Sequence, residues 1–178
     1  VIHTPGFLSA AEASTLLAVA RQSLAWEARS VRIFGKTIPQ PRLVALAGRA
    51  YGYSGLALPG AAIPAWLAPV VDRVSACSGE RFTSVLFNRY RDGRDSIGWH
   101  ADDEPELGPD PLVVSLSLGS PRRFLTRPRG GAATAITLGQ GDLLIMPRGF
   151  QRTHQHAVPK TSADTAERVS LTFRRIDK

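Results

Sequence analysis

The clearest periodicity lies near the N-terminus. Ser9, followed three residues later by Glu12 and then by Leu16, Leu17, Val19 and Ala20, reads as a capping box opening an amphipathic helix. A second helix is predicted over 63–77, entered at Pro64 and closed by Gly79. Between them, 30–38 (SVRIFGKTI) alternates around Phe34, Gly35 and Lys36, which predicts a hairpin with an aromatic near its tip, ended by Pro39 and Pro41. From Arg81 onward the pattern changes to short strand-like runs at 82–90, 112–118, 122–127, 134–138, 142–146 and 168–176, punctuated by Gly, Pro and Asp. That spacing predicts an antiparallel sandwich or barrel rather than alternating β and α units. The expectation is a mainly β fold with flanking helices (α+β), one domain over 1–178, with helices and hairpins in 1–79 and the β core in 80–178. Residues 159–167 (PKTSADTAE) form a polar loop.

Composition narrows the class. With 178 residues, 43% of them hydrophobic, the chain suffices for one compact domain, since domains usually run to ~100–150 residues. The single cysteine, Cys77, excludes an internal disulfide framework and multi-cysteine zinc motifs. No uninterrupted apolar run approaches the ~20 residues of a bilayer crossing, and the first residues lack the basic-then-apolar layout of a leader. The expectation is therefore a protein with no membrane partner that is not secreted, cytoplasmic in a bacterium or nuclear in a eukaryote. Its net charge of +7, from 22 basic and 15 acidic side chains, favours polyanions, nucleic acid first. Arg122, Arg123, Arg127 and Arg129 are candidates for backbone phosphates, with a solvated loop as the equal alternative.

Three of the four histidines, His100, His154 and His156, fall in two short segments, and His100 is followed at i+2 by Asp102. On an extended strand i and i+2 project to one face, so an imidazole and a carboxylate there can ligate one ion. His156, brought alongside, would complete two histidines and one carboxylate with open positions, which suits non-haem Fe(II). Taken alone, one His-x-Asp also arises by chance. In 168–174 (RVSLTFR) the odd positions are apolar, while the even ones are Arg168, Ser170, Thr172 and Arg174. A solvated polar face is the plain reading. Two arginines flanking hydroxyls also suit a dicarboxylate, since guanidinium binds carboxylate bidentately. Asn88 and Tyr90, again i and i+2, would add neutral hydrogen bonds to the same anion.

Taken in order, 88–104 (NRYRDGRDSIGWHADDE), 153–160 (THQHAVPK) and 168–176 (RVSLTFRRI) closely resemble the AlkB-type, Fe(II)- and 2-oxoglutarate-dependent nucleic-acid dioxygenases. Residues 33–36 (IFGK), 41–42 (PR) and 51–55 (YGYSG) join the resemblance and are similar to the branch that acts on double-stranded DNA, so it covers about 30–176. It implies a double-stranded β-helix, or jelly-roll, core with an N-terminal nucleotide-recognition extension. It implies iron on His100, Asp102 and His156, and 2-oxoglutarate on Asn88, Tyr90, Arg168, Thr172 and Arg174. Arg174 with Asn88 would meet the end that chelates iron, and Arg168 with Tyr90 the distal carboxylate. Asp103 and Glu104 match the family's acidic pair beside a cationic methylated adenine or cytosine.

The implied reaction is oxidative dealkylation of N-alkylated bases such as 1-methyladenine and 3-methylcytosine, consuming O₂ and 2-oxoglutarate and releasing succinate, CO₂ and an aldehyde. The implied partner is DNA, in duplex form with the alkylated base flipped out, bound by a monomer. RNA or tRNA is the same-branch alternative, and a binding module without turnover the other. Phe34, with Gly35 and Lys36, is the candidate wedge for the gap left by a flipped base. Tyr51 and Tyr53 are candidates to line the pocket for it. Three departures stand out: Ser170 replaces a usual Asn, His154 a usual aromatic, and 43–50 (LVALAGRA) lacks aromatics common there.

Overall fold

The computed structural model describes residues 1–33, 36–53, 56–58, 60–162 and 164–177. In chain order the elements are β1 (Ile2–Thr4), α1 (Ala10–Ser23), β2 (Glu27–Ile33), β3 (Lys36–Gly48), β4 (Tyr51–Tyr53), β5 (Leu56–Leu58), α2 (Ala68–Ser78), β6 (Ser84–Tyr90) and β7 (Ile97–His100). There follow a 3-10 turn (Pro105–Leu107), β8 (Val113–Gly119), β9 (Arg122–Pro128), β10 (Thr134–Leu138), β11 (Leu143–Met146), α3 (Phe150–Thr153), β12 (His154–Val158) and β13 (Arg168–Arg174). They form a seven-stranded sheet, β1-β11-β8-β13-β6-β3-β2, a four-stranded sheet, β10-β9-β12-β7, and the β4-β5 pair. From β6 onward the chain crosses repeatedly between the two large sheets, as a jelly-roll does.

Local chemistry accounts for the helices. Ser9 caps α1 reciprocally with Glu12: the Glu12 N–H donates to Ser9 Oγ at 3.2 Å, and the Ser9 N–H to Glu12 Oε2 at 2.8 Å. Ala13, Leu16 and Ala20 are the buried face of α1. The second helix starts later than Pro64 predicts. Pro64 heads a turn whose carbonyl accepts from Leu67 and Ala68, Pro69 is the proline of the first helical turn, and Gly79 ends the helix at φ 70°. Nor do Pro39 and Pro41 end the pairing. Pro39 sits opposite Ser30 on β2, a bulge intervenes between Ala28 and Ser30, and pairing of β3 to β6 begins only at Leu43. The prolines thus occupy a stretch where β6 does not need their missing N–H groups.

The seven-stranded sheet has an apolar core on each face. Toward the helices, Val85 and Phe87 of β6, Leu116 and Leu118 of β8, and Val169, Leu171 and Phe173 of β13 pack with Leu16 of α1 and Val71 and Val74 of α2. Toward the smaller sheet, Tyr90, Val113, Leu144 and Met146 meet Phe124, Leu138 and Val158. Each such large side chain contributes ~1.5–3 kcal/mol on burial. One turn between the sheets requires glycine: Gly119, at φ 84°, has the Glu167 carbonyl oxygen 2.4 Å from where a Cβ would stand.

Asp142 fastens the N-terminal strand to this frame. Its carboxylate accepts from the Gly139 N–H at 2.9 Å, the Gly6 N–H at 3.0 Å and His3 Nε2 at 2.9 Å. Partial burial would raise its pKa, but these donors outweigh burial and hold it below the usual carboxylate value. A lowered folded-state pKa contributes stability that is complete above the unfolded value of about 4 and disappears as pH falls through the folded one. Asp142→Asn should cost roughly 1–3 kcal/mol at neutral pH in urea unfolding, with the deficit shrinking below about pH 4; a pH-independent deficit would contradict this reading.

Candidate metal centre

Strand pairing brings the histidines together. β12 runs antiparallel to β7 with His156 directly opposite His100, and the two rings lie 4.1 Å apart between centroids. Asp102, just past β7, completes the cluster: His100 Nε2 lies 4.0 Å from its Oδ1 and His156 Nε2 3.8 Å from its Oδ2. Among the described residues this is the cluster of His, Cys, Asp and Glu side chains whose ligand atoms can share one ion, all within 4.8 Å of one another.

The protonation states suit a divalent metal. Burial would raise the Asp102 pKa, but the Arg174 guanidinium, followed by the two imidazoles, holds it down to about 2. Arg174 Nη2 donates to Asp102 Oδ1 at 2.6 Å, with both side chains buried, while Asp102 Oδ2 is buried without a hydrogen-bond partner. Burial lowers the His156 pKa to about 3, with repulsion from His100 adding to it. Burial likewise lowers His100, although a quarter of its side-chain surface stays open. Both rings are therefore neutral at physiological pH, as ligands must be. The His100 Nδ1–H can donate to the Gly98 carbonyl at 2.9 Å, which leaves the Nε2 lone pair for a metal.

The last strand supplies the rest. β13 lies between β6 and β8, so Arg168 is opposite Tyr90, Ser170 opposite both Asn88 and Ser117, and Thr172 opposite Ser115. The polar face is not solvated: every residue of β13 is buried, facing helices on one side and the smaller sheet on the other. With the triad, Asn88, Tyr90, Ser115 and the four polar residues of β13 line one cavity, to which Ile97, Phe124, Met146 and Val158 add apolar walls. Arg168, 1% exposed, donates from Nη2 to Ser117 Oγ at 2.9 Å, while its Nε and Nη1 have no hydrogen-bond partner. Its guanidinium lies 5.3 Å from the Tyr90 ring centroid. Burial pulls its pKa below the ordinary arginine value, as expected of a buried cation with no carboxylate beside it. Such a group calls for an anion.

The other predicted residues are distributed around this centre. Asp103 is exposed and pairs with Arg129 at 3.4 Å. Glu104 has a buried, unpartnered Oε2, and burial, with Asp102 and Asp103 adding and Arg174 opposing, pushes its pKa up to about 7. Lys36 opens β3, and Tyr51 and Tyr53 stand two apart on β4, whereas Phe34 and Gly35 lie outside the described residues. His154 stays out of the cluster, stacked on Phe150 at 4.8 Å with Nδ1 against Thr153 Oγ1. Of the candidate phosphate arginines, Arg122 is buried, with its guanidinium on the carbonyls of Asp92, Asp95 and Pro159, so it cannot meet phosphate. Arg127 lies over Trp99 at 4.1 Å and bonds Gln155; Arg123 and Arg129 are exposed.

Three features escaped the sequence reading. Gln151 of α3, 1% exposed, accepts the Asp102 N–H at 3.0 Å and so orients a ligand. Buried Arg42 donates to Asn88 Oδ1 at 2.8 Å; its position is in the PR pair already noted. Ser115 and Ser117 were legible only as an i, i+2 pair in an apolar strand.

A model of the 2OG-Fe(II) oxygenase superfamily matches residues 1–174. The chain belongs to that superfamily. It is 39% identical over 187 residues to rat alpha-ketoglutarate-dependent dioxygenase alkB homolog 3, covering 97% of the chain and 62% of that protein. It is also 39% identical over 159 residues to human DNA oxidative demethylase ALKBH2, covering 82% of the chain and 60% of that protein. The chain thus spans about three fifths of these relatives' lengths. A solved structure described as "The structure of OsALKBH1" superposes with a TM-score of 0.68 at 23% identity, covering 98% of the chain and 97% of that one, which supports the jelly-roll assignment. No helix among the described residues is long and apolar enough to cross a membrane. The oxygenase's Fe(II) and 2-oxoglutarate fit what is present: neutral nitrogens and an unpartnered carboxylate oxygen for the metal, and unpartnered guanidinium N–H groups for the acid.

Wild-type protein should bind one Mn(II) per chain in calorimetry, His154→Ala should do the same, and His156→Ala should lose stoichiometric binding. Retention by His156→Ala with loss by His154→Ala would overturn the ligand set.

Proposed function

We propose that the chain is the catalytic domain of a nucleic-acid dealkylase, 1–178, that removes N-alkyl groups from DNA bases such as 1-methyladenine and 3-methylcytosine. The observation that carries this reading is the convergence of the His100, Asp102 and His156 cluster with a buried, anion-seeking Arg168 in one cavity. Fe(II), which His100, Asp102 and His156 would hold, would supply, with O₂ and 2-oxoglutarate, oxidative hydroxylation of the N-alkyl carbon, with an aldehyde, succinate and CO₂ as the products.

The chain's own groups have separable tasks. Arg174 keeps Asp102 ionised and, with Asn88 and Thr172, receives the chelating end of the cosubstrate. Arg168 and Tyr90 receive the distal carboxylate by charge-assisted hydrogen bonds. Ile97, Phe124, Met146 and Val158 place apolar surface beside those contacts, which strengthens them. Asp103 and Glu104 follow the metal-bearing strand directly and would face a cationic alkylated base, whose charge favours ionised Glu104 over the neutral acid. Tyr51 and Tyr53 would wall the base pocket, and exposed Arg123 and Arg129 would meet phosphate. The likeness to human DNA oxidative demethylase ALKBH2 supports DNA over RNA.

The direct test is succinate release with Fe(II) and O₂ supplied, on oligonucleotides carrying 1-methyladenine in DNA or in RNA. Release coupled to base repair, faster on DNA, is expected. Release coupled only to RNA would make the protein an RNA demethylase, and none on either would leave a binding module.

The hairpin between β2 and β3 generates a second test. We assign Phe34, flanked by Gly35 and Lys36, as the wedge that fills the gap left by a flipped base, which only a duplex presents. Phe34→Ala should therefore slow repair of methylated duplex several-fold more than repair of the same lesion in a single strand; equal loss on both would make Phe34 a general binding or folding residue.

A further inference from the structure

Arg122 opens β9 at the point where the chain has just crossed from one sheet to the other, and it is 3% exposed. Its guanidinium is spent on backbone carbonyls: Nη1 donates to Asp92 at 3.1 Å, and Nη2 to Asp95 at 2.8 Å and Pro159 at 2.6 Å. Asp92 and Asp95 belong to the loop that leads into β7 and His100; Pro159 directly follows β12 and His156. One side chain thus ties together the segments flanking both histidines. Its partners are neutral dipoles. Asp95, whose carbonyl it holds, pairs its carboxylate with Arg91 at 2.7 Å, so the Asp92 and Asp95 carboxylates attract Arg122 from nearby and offset its charge only in part, with no direct ion pair to it. That charge lies 5.5 Å from the centroid of the Tyr90 ring, against which the Arg168 guanidinium also lies, at 5.3 Å. Two buried guanidiniums sharing one tyrosine repel each other, and the repulsion is relieved when an anion binds beside Arg168. Arg122 itself is not among the cavity's lining residues, so it acts through Tyr90 and through space.

We propose that Arg122 is a positioning residue that makes the cavity selective for a dicarboxylate 2-oxo acid over a monocarboxylate one, by holding Tyr90 in place and adding a second buried positive charge beside Arg168. This rests on the reading in which Arg168 and Tyr90 receive the distal carboxylate.

The test is calorimetric titration of Mn(II)-loaded protein with 2-oxoglutarate and with 2-oxobutyrate, which has the same chelating end and no distal carboxylate. Wild type, Arg122→Met, Arg122→Lys and Arg168→Met are compared, with Mn(II) affinity and circular dichroism measured for each. Arg122→Met should weaken 2-oxoglutarate binding by about ten-fold, the scale of one unit charge acting through space at ~10 Å and an effective dielectric of ~20, while Mn(II) and 2-oxobutyrate affinities stay within about two-fold of wild type. Arg122→Lys, which keeps the charge but cannot span three carbonyls, should shift the ratio in the same direction by less. Equal weakening of both acids, or loss of Mn(II) binding with them, would make Arg122 a scaffold residue and overturn the proposal. An unchanged ratio in both Arg122 variants, with Arg168→Met altered, would overturn it alone. An unchanged ratio in Arg168→Met would overturn it together with the distal-carboxylate reading.

Discussion

The site depends on one constraint: β13 is buried on both faces, yet every second residue on it is polar or charged. A central strand between β6 and β8 has no solvated side, so Arg168, Ser170, Thr172 and Arg174 can exist there only with partners inside the protein or with a ligand. Arg174 has such a partner in Asp102. Arg168 has Ser117 and the face of Tyr90, neither of which cancels its charge. A buried cation left in that state is destabilising, a cost that functional sites retain, and an acid with one end on the metal triad and the other on Arg168 would supply the missing charge.

The same economy governs the triad. Two ligands are oriented by hydrogen bonds, His100 by the Gly98 carbonyl and Asp102 by Arg174 on its Oδ1 and by Gln151 on its backbone N–H, whereas the His156 Nδ1 is buried without a partner and its ring is set by its register opposite His100. These supports come from β7, β13, α3 and β12, elements on both sheets. The centre is therefore assembled only when the sheets close on each other, which links metal affinity to the packing of Phe124, Met146 and Val158 between them.

What the sequence made legible was local. The capping box at Ser9 and Glu12 and the alternation in 168–174 each express a period of one helix or strand and recur in the structure, whereas His100 and Asp102 share a site although Asp102 lies just past β7 rather than on it. The prolines at 39 and 41 misled because a proline is incompatible with a paired N–H, not with a strand; β3 presents them where β6 is not yet alongside. Arg122 misled for a related reason. Its neighbours Arg123, Arg127 and Arg129 share its composition, but only the crossing between sheets turns Arg122 inward onto carbonyls distant in the chain. Gln151, about fifty residues from the aspartate it supports, has no local signature at all.

The account's central claim is that one cavity joins the metal triad to Arg168 through a bound 2-oxo dicarboxylate. A crystal structure of the protein with Mn(II) and 2-oxoglutarate, with the metal located by anomalous scattering, tests it most directly. The account predicts one metal held by His100, Asp102 and His156, with the distal carboxylate of the acid on Nε and Nη1 of Arg168. A metal held elsewhere, or an acid whose far end lies away from Arg168, would contradict it.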